Sequence, residues 1–214
     1  MPNNTPKTYC FIDASNLFYG GEKSLGWKID YQKLLQYLHN KYNVSKVFYF
    51  GGVETHKFKY SYLAQETVPI DELEAYLIDL VENKESNFNE AELALLGRHL
   101  RRARFYRKLT KFGYALYLKP VKRYEDNDGG IRRKANCDVE MAFYLMKELD
   151  NFDRAVVLSG DGDFLPVLKY LRENRKQVII LSRGKRTAKE IRQFASSNFR
   201  DFVRLETHIK FEGK

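Results

Sequence analysis

Two short apolar runs constrain this 214-residue chain more than any other feature, because each leads straight into acid. Tyr9-Cys10-Phe11-Ile12 ends at Asp13, with Ser15 and Asn16 just beyond, and Ala155-Val156-Val157-Leu158-Ser159 leads to Asp161-Gly162-Asp163. Continuous apolar runs bounded by turn residues read as strands covered on both faces, as in a parallel sheet flanked by helices. Ligands of such sheets bind beyond the carboxyl ends of the strands, and Asp13, Asp161 and Asp163 would meet there. A further acid, Asp138, opens an apolar-periodic helix after the basic stretch Arg132-Arg133-Lys134. Two carboxylates about 4 Å apart repel by about 4 kcal/mol at an effective dielectric of roughly 20, so a cluster of this kind needs a counter-charge. Oxygen ligands, with no thiol or imidazole among them, suit Mg²⁺ or Mn²⁺ better than zinc.

The rest of the chain supports an α/β class. Residues 31–42 place Leu34, Leu35 and Leu38 on one helical side, and residues 46–50 read as a strand closed by Gly51-Gly52. Regular alternation then stops. Residues 71–81 and 90–111 both have helical periodicity with no strand between them, which predicts a helical insertion over about 53–111. In its second helix Leu93, Leu96, Leu100, Ala103 and Tyr106 form the core-facing row, while Arg101, Arg104, Lys108 and Lys111 form a separate basic stripe. Residues 98–111 hold seven positive charges and no acid, so a plain solvated face and a polyanion-binding face are both open readings. A strand over 114–118 follows, then a hairpin-like stretch over 121–134 with Asn127-Asp128-Gly129-Gly130 at its turn. Helices at 139–149, 164–173 and 188–194 alternate with strands at 155–158, 178–181 and 202–205. The expected architecture is a three-layer α/β/α domain over 7–205 with a mainly parallel central sheet, and flexible termini at 1–6 and 206–214.

Lys and Arg outnumber Asp and Glu by 37 to 28, for a net charge of +9 and a pI near 9.4. A basic domain is drawn to polyanions. With no apolar run of membrane length and no secretory signal, nucleic acid is the favoured partner over lipid, and the cytoplasm the expected compartment. Cys10 and Cys137 have no metal-type spacing and read as buried reduced thiols. His39, His56, His99 and His208 match no zinc or acid–base spacing. Phe18, Tyr19 and Phe164 would suit base stacking, but with 15 Phe and 15 Tyr in the chain, core placement is the default for each.

The series Phe11-Ile12-Asp13-Ala14-Ser15-Asn16, Lys134 with Asp138, and Ser159-Gly160-Asp161-Gly162-Asp163-Phe164 with Pro166 resembles the NYN domain, a branch of the PIN-like nuclease superfamily that includes LabA-type proteins. Ser182-Arg183-Gly184-Lys185 before a helix is similar to the family as well. The lysine stands four residues before the helix acid, where the family commonly has three, and the insertion is longer than in a minimal domain. The resemblance implies metal-dependent cleavage of RNA. Asp13, Asp138, Asp161 and Asp163 would hold one or two Mg²⁺ or Mn²⁺ ions, Asn16 would orient a water or a phosphate oxygen, and Ser15 and Ser159 would assist. RNA would then lie along Arg101, Arg104, Lys108, Lys111, Arg132, Arg133, Lys134, Arg183 and Lys185.

Each residue also has a plainer reading. A strand-end Asp is often an ordinary helix N-cap, which fits Asp13 or Asp138 taken singly; one cap needs one carboxylate, so the Asp161/Asp163 pair exceeds that role. Asn16 suits a turn, Lys134 a surface, and Glu140 a solvent-facing helix position. Two other functions remain open. A haloacid-dehalogenase-like phosphatase also carries an Asp after its first strand, but needs a second acid two residues later, where this chain has Ser15. The alternative to an enzyme is a regulatory module that binds RNA without cutting it. The oligomeric state is open, a homodimer included.

Overall fold

The computed structural model describes residues 5–18, 23–82, 88–125 and 131–213, with backbone alone at 123–125 and 131–134. The chain opens with β1 (Thr8–Asp13), the single turns α1 (Ala14–Asn16) and α2 (Lys23–Leu25), then α3 (Tyr31–Tyr42) and β2 (Val44–Val53). The middle holds α4 (Ile70–Glu82), α5 (Glu90–Phe112), β3 (Tyr114–Pro120), β4 (Lys122–Glu125) and β5 (Ile131–Lys134). The last part holds α6 (Asp138–Lys147), β6 (Arg154–Leu158), α7 (Leu165–Glu173), β7 (Gln177–Ser182), α8 (Lys189–Ala195), β8 (Phe199–Asp201) and α9 (Glu206–Ile209). The main sheet has the strand order β3-β2-β1-β6-β7-β8, giving the expected three-layer α/β/α class. Pairings of β1 with β2 and β6, of β6 with β7, and of β7 with β8 are all parallel.

By compactness the chain forms two units, one of residues 1–50 and 138–214, the other of residues 51–137. The first unit is built on β1, buried at every position from Thr8 to Asp13. Its core is aromatic: Phe11 stacks on Phe48 at 4.9 Å between ring centroids and meets Phe152 edge-on at 5.7 Å. Cys10 is fully buried, and burial pushes its thiol pKa well up, so it stays protonated and acts as a small apolar filler. Cys137, in the second unit, is a buried free thiol too. α3 starts on Asp30, whose carboxylate accepts from the amides of Gln32 and Lys33, and ends on Asn43 in the left-handed conformation.

The second unit contains the helical insertion. α4 buries Leu73, Leu77 and Leu80; α5 buries Leu96, Leu100, Ala103, Tyr106 and Leu109, with Leu93 half-buried one turn earlier. Asn89 and Glu92 form a reciprocal capping box at the start of α5, and Gly113 with φ 104° ends it. β4 and β5 form the expected antiparallel hairpin, Lys122 opposite Lys134, while its Asn127-Gly130 turn lies outside the described residues.

Three boundaries differ from the sequence expectation, each for a local reason. Gly51-Gly52 do not close β2: the strand runs on to Val53 because Gly52 is a point of close approach, where a side chain would collide with Cβ of Ala135. The last strand is Phe199–Asp201, not 202–205, because the Asp201 carboxylate accepts the Val203 amide at 3.1 Å and turns the chain into a 3-10 helix. The segment from 206 is tied down rather than loose. Ile209 is buried, its carbonyl accepts the Asp30 amide at 2.8 Å, and Phe211 donates to the Lys28 carbonyl at 2.9 Å.

Replacing Phe11 by Ala removes a fully buried ring from a stacked cluster and should cost about 3–5 kcal/mol of unfolding free energy in urea titrations. A loss under about 1 kcal/mol would mean that the aromatic layer can collapse around the gap.

Candidate metal centre

The acidic edge is assembled by strand pairing. β1 and β6 are parallel neighbours with Ile12 opposite Leu158, so the residues that follow each, Asp13 and Ser159-Gly160-Asp161, leave the sheet at the same edge. Asp13 is only 8% exposed and caps α1. Its Oδ1 accepts from Ser15 N at 2.9 Å, Ser15 Oγ at 2.7 Å and Asn16 N at 3.2 Å, and its Oδ2 accepts from Ser159 Oγ at 3.3 Å. Burial pushes the Asp13 pKa above its ordinary value, a rise that these donors offset only in part. Ser159 relays the contact onward, because its Oγ also accepts the Asp161 amide at 3.3 Å.

Asp161 caps a 3-10 turn, Gly162–Phe164, by accepting the Asp163 amide at 3.0 Å. This short turn points Asp163 back toward Asp161 before α7 begins, with Pro166 in its first turn. Asp138 arrives from the first turn of α6. One carboxylate oxygen from each of Asp138, Asp161 and Asp163 lies within 4.8 Å of the other two; Asp138 is half-buried and the two others are exposed. With Mg²⁺–oxygen bonds of about 2.1 Å, adjacent ligand oxygens sit about 3 Å apart, so the three carboxylates would draw together to share one ion. The donor set, carboxylate oxygen throughout, fits a hard divalent cation.

Asp13 is not one of that trio. Three donors hold its Oδ1 within its own turn, and it lines the neighbouring wall instead. That wall belongs to a crevice of about 570 Å³ shared by Asp13, Ser15, Asn16, Asp161, Lys185 and Arg186. The two cations come from the loop after β7. Ala188 N donates to the Gly160 carbonyl at 2.9 Å, the Ser182 and Thr187 hydroxyls are hydrogen-bonded, and Thr187 Oγ1 donates to the Arg183 carbonyl at 2.8 Å. Gly160 is required at this junction: a Cβ there would lie 3.0 Å from Ser182 Oγ and from Thr187 Cα.

The other predicted contacts divide. Arg183 is turned away onto Asp201 at 3.4 Å and toward Ser24. Lys134, Arg132 and Arg133 lie on β5, and their side chains are outside the described residues. On α5, Arg101, Arg104, Lys108 and Lys111 are all exposed, and Arg104 at 3.4 Å and Arg107 at 2.9 Å also pair with Glu74, a 3%-exposed carboxylate on α4. The balancing acid missing at helical spacing is therefore supplied by a neighbouring helix. Glu140 is half-buried with Oε2 shielded from water, not solvent-facing. Phe164 is core at 2% exposure, and Tyr19 is outside the described residues. Arg186 and Glu190 were not anticipated. Glu190 carries its carboxylate against Gly162, and no local pattern marks it, since it lies one helix beyond the acidic turn.

The NYN domain family model matches residues 7–206. This chain belongs to the NYN domain family. That single match takes in residues of both compact units. Among curated relatives, the Low amplitude and bright protein LabA of Synechococcus elongatus is 24% identical over 204 residues, covering 94% of this chain and 86% of LabA. Among solved structures, a protein of unknown function from Vibrio parahaemolyticus superposes with a TM-score of 0.62 at 16% identity, over 93% of this chain and 94% of that one, and so shares the fold.

Two outcomes test the NYN site. Asp161→Asn with Asp163→Asn should abolish Mn²⁺ binding by calorimetry while leaving the thermal unfolding of the metal-free protein nearly unchanged, because both carboxylates are exposed. Asp13 has its pKa raised by folding, so its contribution to stability is fully present below the ordinary value of 3.8 and is lost as pH rises through the folded value. In chelator, the stability of Asp13→Asn relative to wild type should therefore improve as pH climbs above about 4; a flat difference would contradict the burial effect.

Proposed function

We propose that this NYN domain protein is a metal-dependent nuclease that hydrolyses RNA phosphodiester bonds. One observation carries the reading: the carboxylates of Asp138, Asp161 and Asp163 converge within 4.8 Å, from elements far apart in the chain. Beside them, Lys185 and Arg186 on the crevice wall suit a polyanionic substrate. RNA is chosen over DNA on the resemblance to the PIN-like nuclease branch, and the net charge of +9 suits either.

In this reading Asp138, Asp161 and Asp163 hold Mg²⁺ or Mn²⁺. The bound ion would polarise the scissile phosphate and acidify a water molecule. The chain's own groups do the rest. Lys185 and Arg186 draw the phosphate into the crevice and offset its charge. Asp13 fixes the Ser15-Asn16 turn, so that the Asn16 side chain is positioned as a donor to phosphate or water. Ser159 joins Asp13 to the Asp161 amide and keeps the two strand ends in register. The phosphatase alternative has no support here, since the Oδ1 of Asp13 is already engaged by its own turn. We take the cytoplasm as the compartment, in keeping with two buried free thiols, and no described helix is long and apolar enough to cross a membrane.

The test is incubation with single-stranded and duplex RNA and DNA in Mn²⁺, Mg²⁺ or chelator. Wild type should cut RNA only with metal, and Asp161→Asn should cut at least about 100-fold more slowly while still binding it. Release of phosphate from a small ester, or binding without cleavage, would replace this reading by a phosphatase or a regulatory module. Separately, Arg101→Gln, Lys108→Gln and Lys111→Gln together should flatten the salt dependence of single-stranded RNA affinity by about 2 in log–log slope. An unchanged slope would leave α5 with a purely structural part.

A further inference from the structure

The loop between β2 and α4 has a pattern that the acid cluster does not use. His56-Lys57-Phe58-Lys59-Tyr60-Ser61-Tyr62-Leu63 alternates basic or polar residues with aromatic ones, and no acid occurs from Thr55 to Gln65. The rings form a continuous ladder in the second unit. Tyr62 lies 4.5 Å from Tyr60, Tyr60 lies 6.3 Å from Phe58 in stacked orientation, and Phe58 lies 5.5 Å from Tyr76 of α4. Phe58 and Tyr60, two residues apart, stack at 6.3 Å, so their rings lie side by side on the loop. Lys57 and Lys59 are exposed. At the outer end Tyr62 is 69% exposed and Leu63 fully so.

The ladder is held in place before any ligand arrives. His56 and Lys57 both adopt left-handed backbone, φ 47° and 67°, which residues other than glycine keep only when their surroundings impose it. Here Tyr76 Oη donates to the His56 carbonyl at 2.9 Å, the His56 ring is hydrogen-bonded to buried His99 of α5, and Phe58 N closes a turn onto the Thr55 carbonyl at 2.9 Å. The far end is closed by Gln65 N on the Ser61 carbonyl at 3.0 Å. Partial burial and the neighbouring Tyr62 raise the Tyr60 pKa, so its hydroxyl stays neutral beside a phosphate chain.

We propose that Tyr60 and Tyr62 form a stacking platform for the bases of a single-stranded nucleic acid, with Lys57 and Lys59 on its phosphates. The chemistry is the usual one for sequence-tolerant single-strand binding, rings for bases and interleaved cations for the backbone. Charge complementarity favours this occupant over an apolar protein surface. The platform rests on the nuclease reading only for the choice of RNA as its ligand.

The probe is a fluorescein-labelled oligouridylate of about twelve nucleotides, followed by anisotropy in chelator over a range of salt. Tyr60→Ala with Tyr62→Ala should weaken binding by about tenfold or more at every salt concentration, with the slope unchanged. Tyr60→Phe with Tyr62→Phe should bind like wild type, and Lys57→Gln with Lys59→Gln should flatten the slope by about 1.4. The single change Tyr62→Ala, at an exposed site, should still give a measurable loss without risk to folding. Unchanged affinity in the alanine variants would overturn the platform, as would equal loss in the phenylalanine pair. Self-association that disappears with Tyr62→Ala would overturn it too, by assigning the ladder to a second copy. Adding Mn²⁺ separates the two readings: binding without cleavage sinks the nuclease and leaves the platform, whereas cleavage with intact affinity in the alanine variants does the reverse.

Discussion

The parallel pairing of β1 with β6 is the constraint on which the acidic edge depends. It sets Ile12 beside Leu158, so both chains leave the sheet together and deliver Asp13 and Asp161 to one crevice. A slip of one residue would turn every side chain of a strand to the opposite face and so break the packing of Phe11 on Phe48 and Phe152. The register is secured by burial, since all of β1 and the segment from Ala155 to Leu158 are enclosed. The packed rings of Phe11, Phe48 and Phe152 therefore do two jobs: they exclude water, and they hold the strand ends in place.

Acids and bases in this protein separate by environment. Asp13 is buried and spends its lone pairs on a turn, and Glu74 is buried and spends its charge on Arg104 and Arg107. Removing both half-exposed arginines would leave the buried Glu74 charge uncompensated, so the pairing has a structural part. Asp161 and Asp163, by contrast, lie exposed beside one another and beside Asp138, an arrangement that carboxylate repulsion opposes and a cation relieves. The cations divide likewise. Arg183 is spent on Asp201, whereas Lys185 and Arg186, two and three residues later, face the crevice.

The second unit adds features that regular α/β alternation does not supply. A helical pair carries an exposed row of Arg101, Lys108 and Lys111, and the loop leading into it carries alternating lysines and rings. Both suit nucleic acid in different ways. Cations give affinity that salt weakens, whereas stacked rings give affinity that salt leaves alone.

Periodicity made most of the elements readable from the chain: apolar runs marked β1, β6 and β7, and the spacing from Leu96 to Tyr106 marked α5, because burial of one face leaves a regular trace in sequence. The motif Asp161-Gly162-Asp163 was legible for a similar reason, a glycine-hinged turn holding more carboxylates than one cap needs. What lay beyond reading was set by contacts between distant residues. Gly52 looked like a strand end until Ala135 stood against it, and Arg104 looked free until Glu74 arrived from another helix. The amino-acid order by itself determined the α/β class, the strand-end acids and the basic surplus, since these follow from local pattern and composition. Only the tertiary structure decided which acids converge and which cations stay exposed, because a hydrogen bond or ion pair depends on ångström distances between residues that the chain keeps far apart.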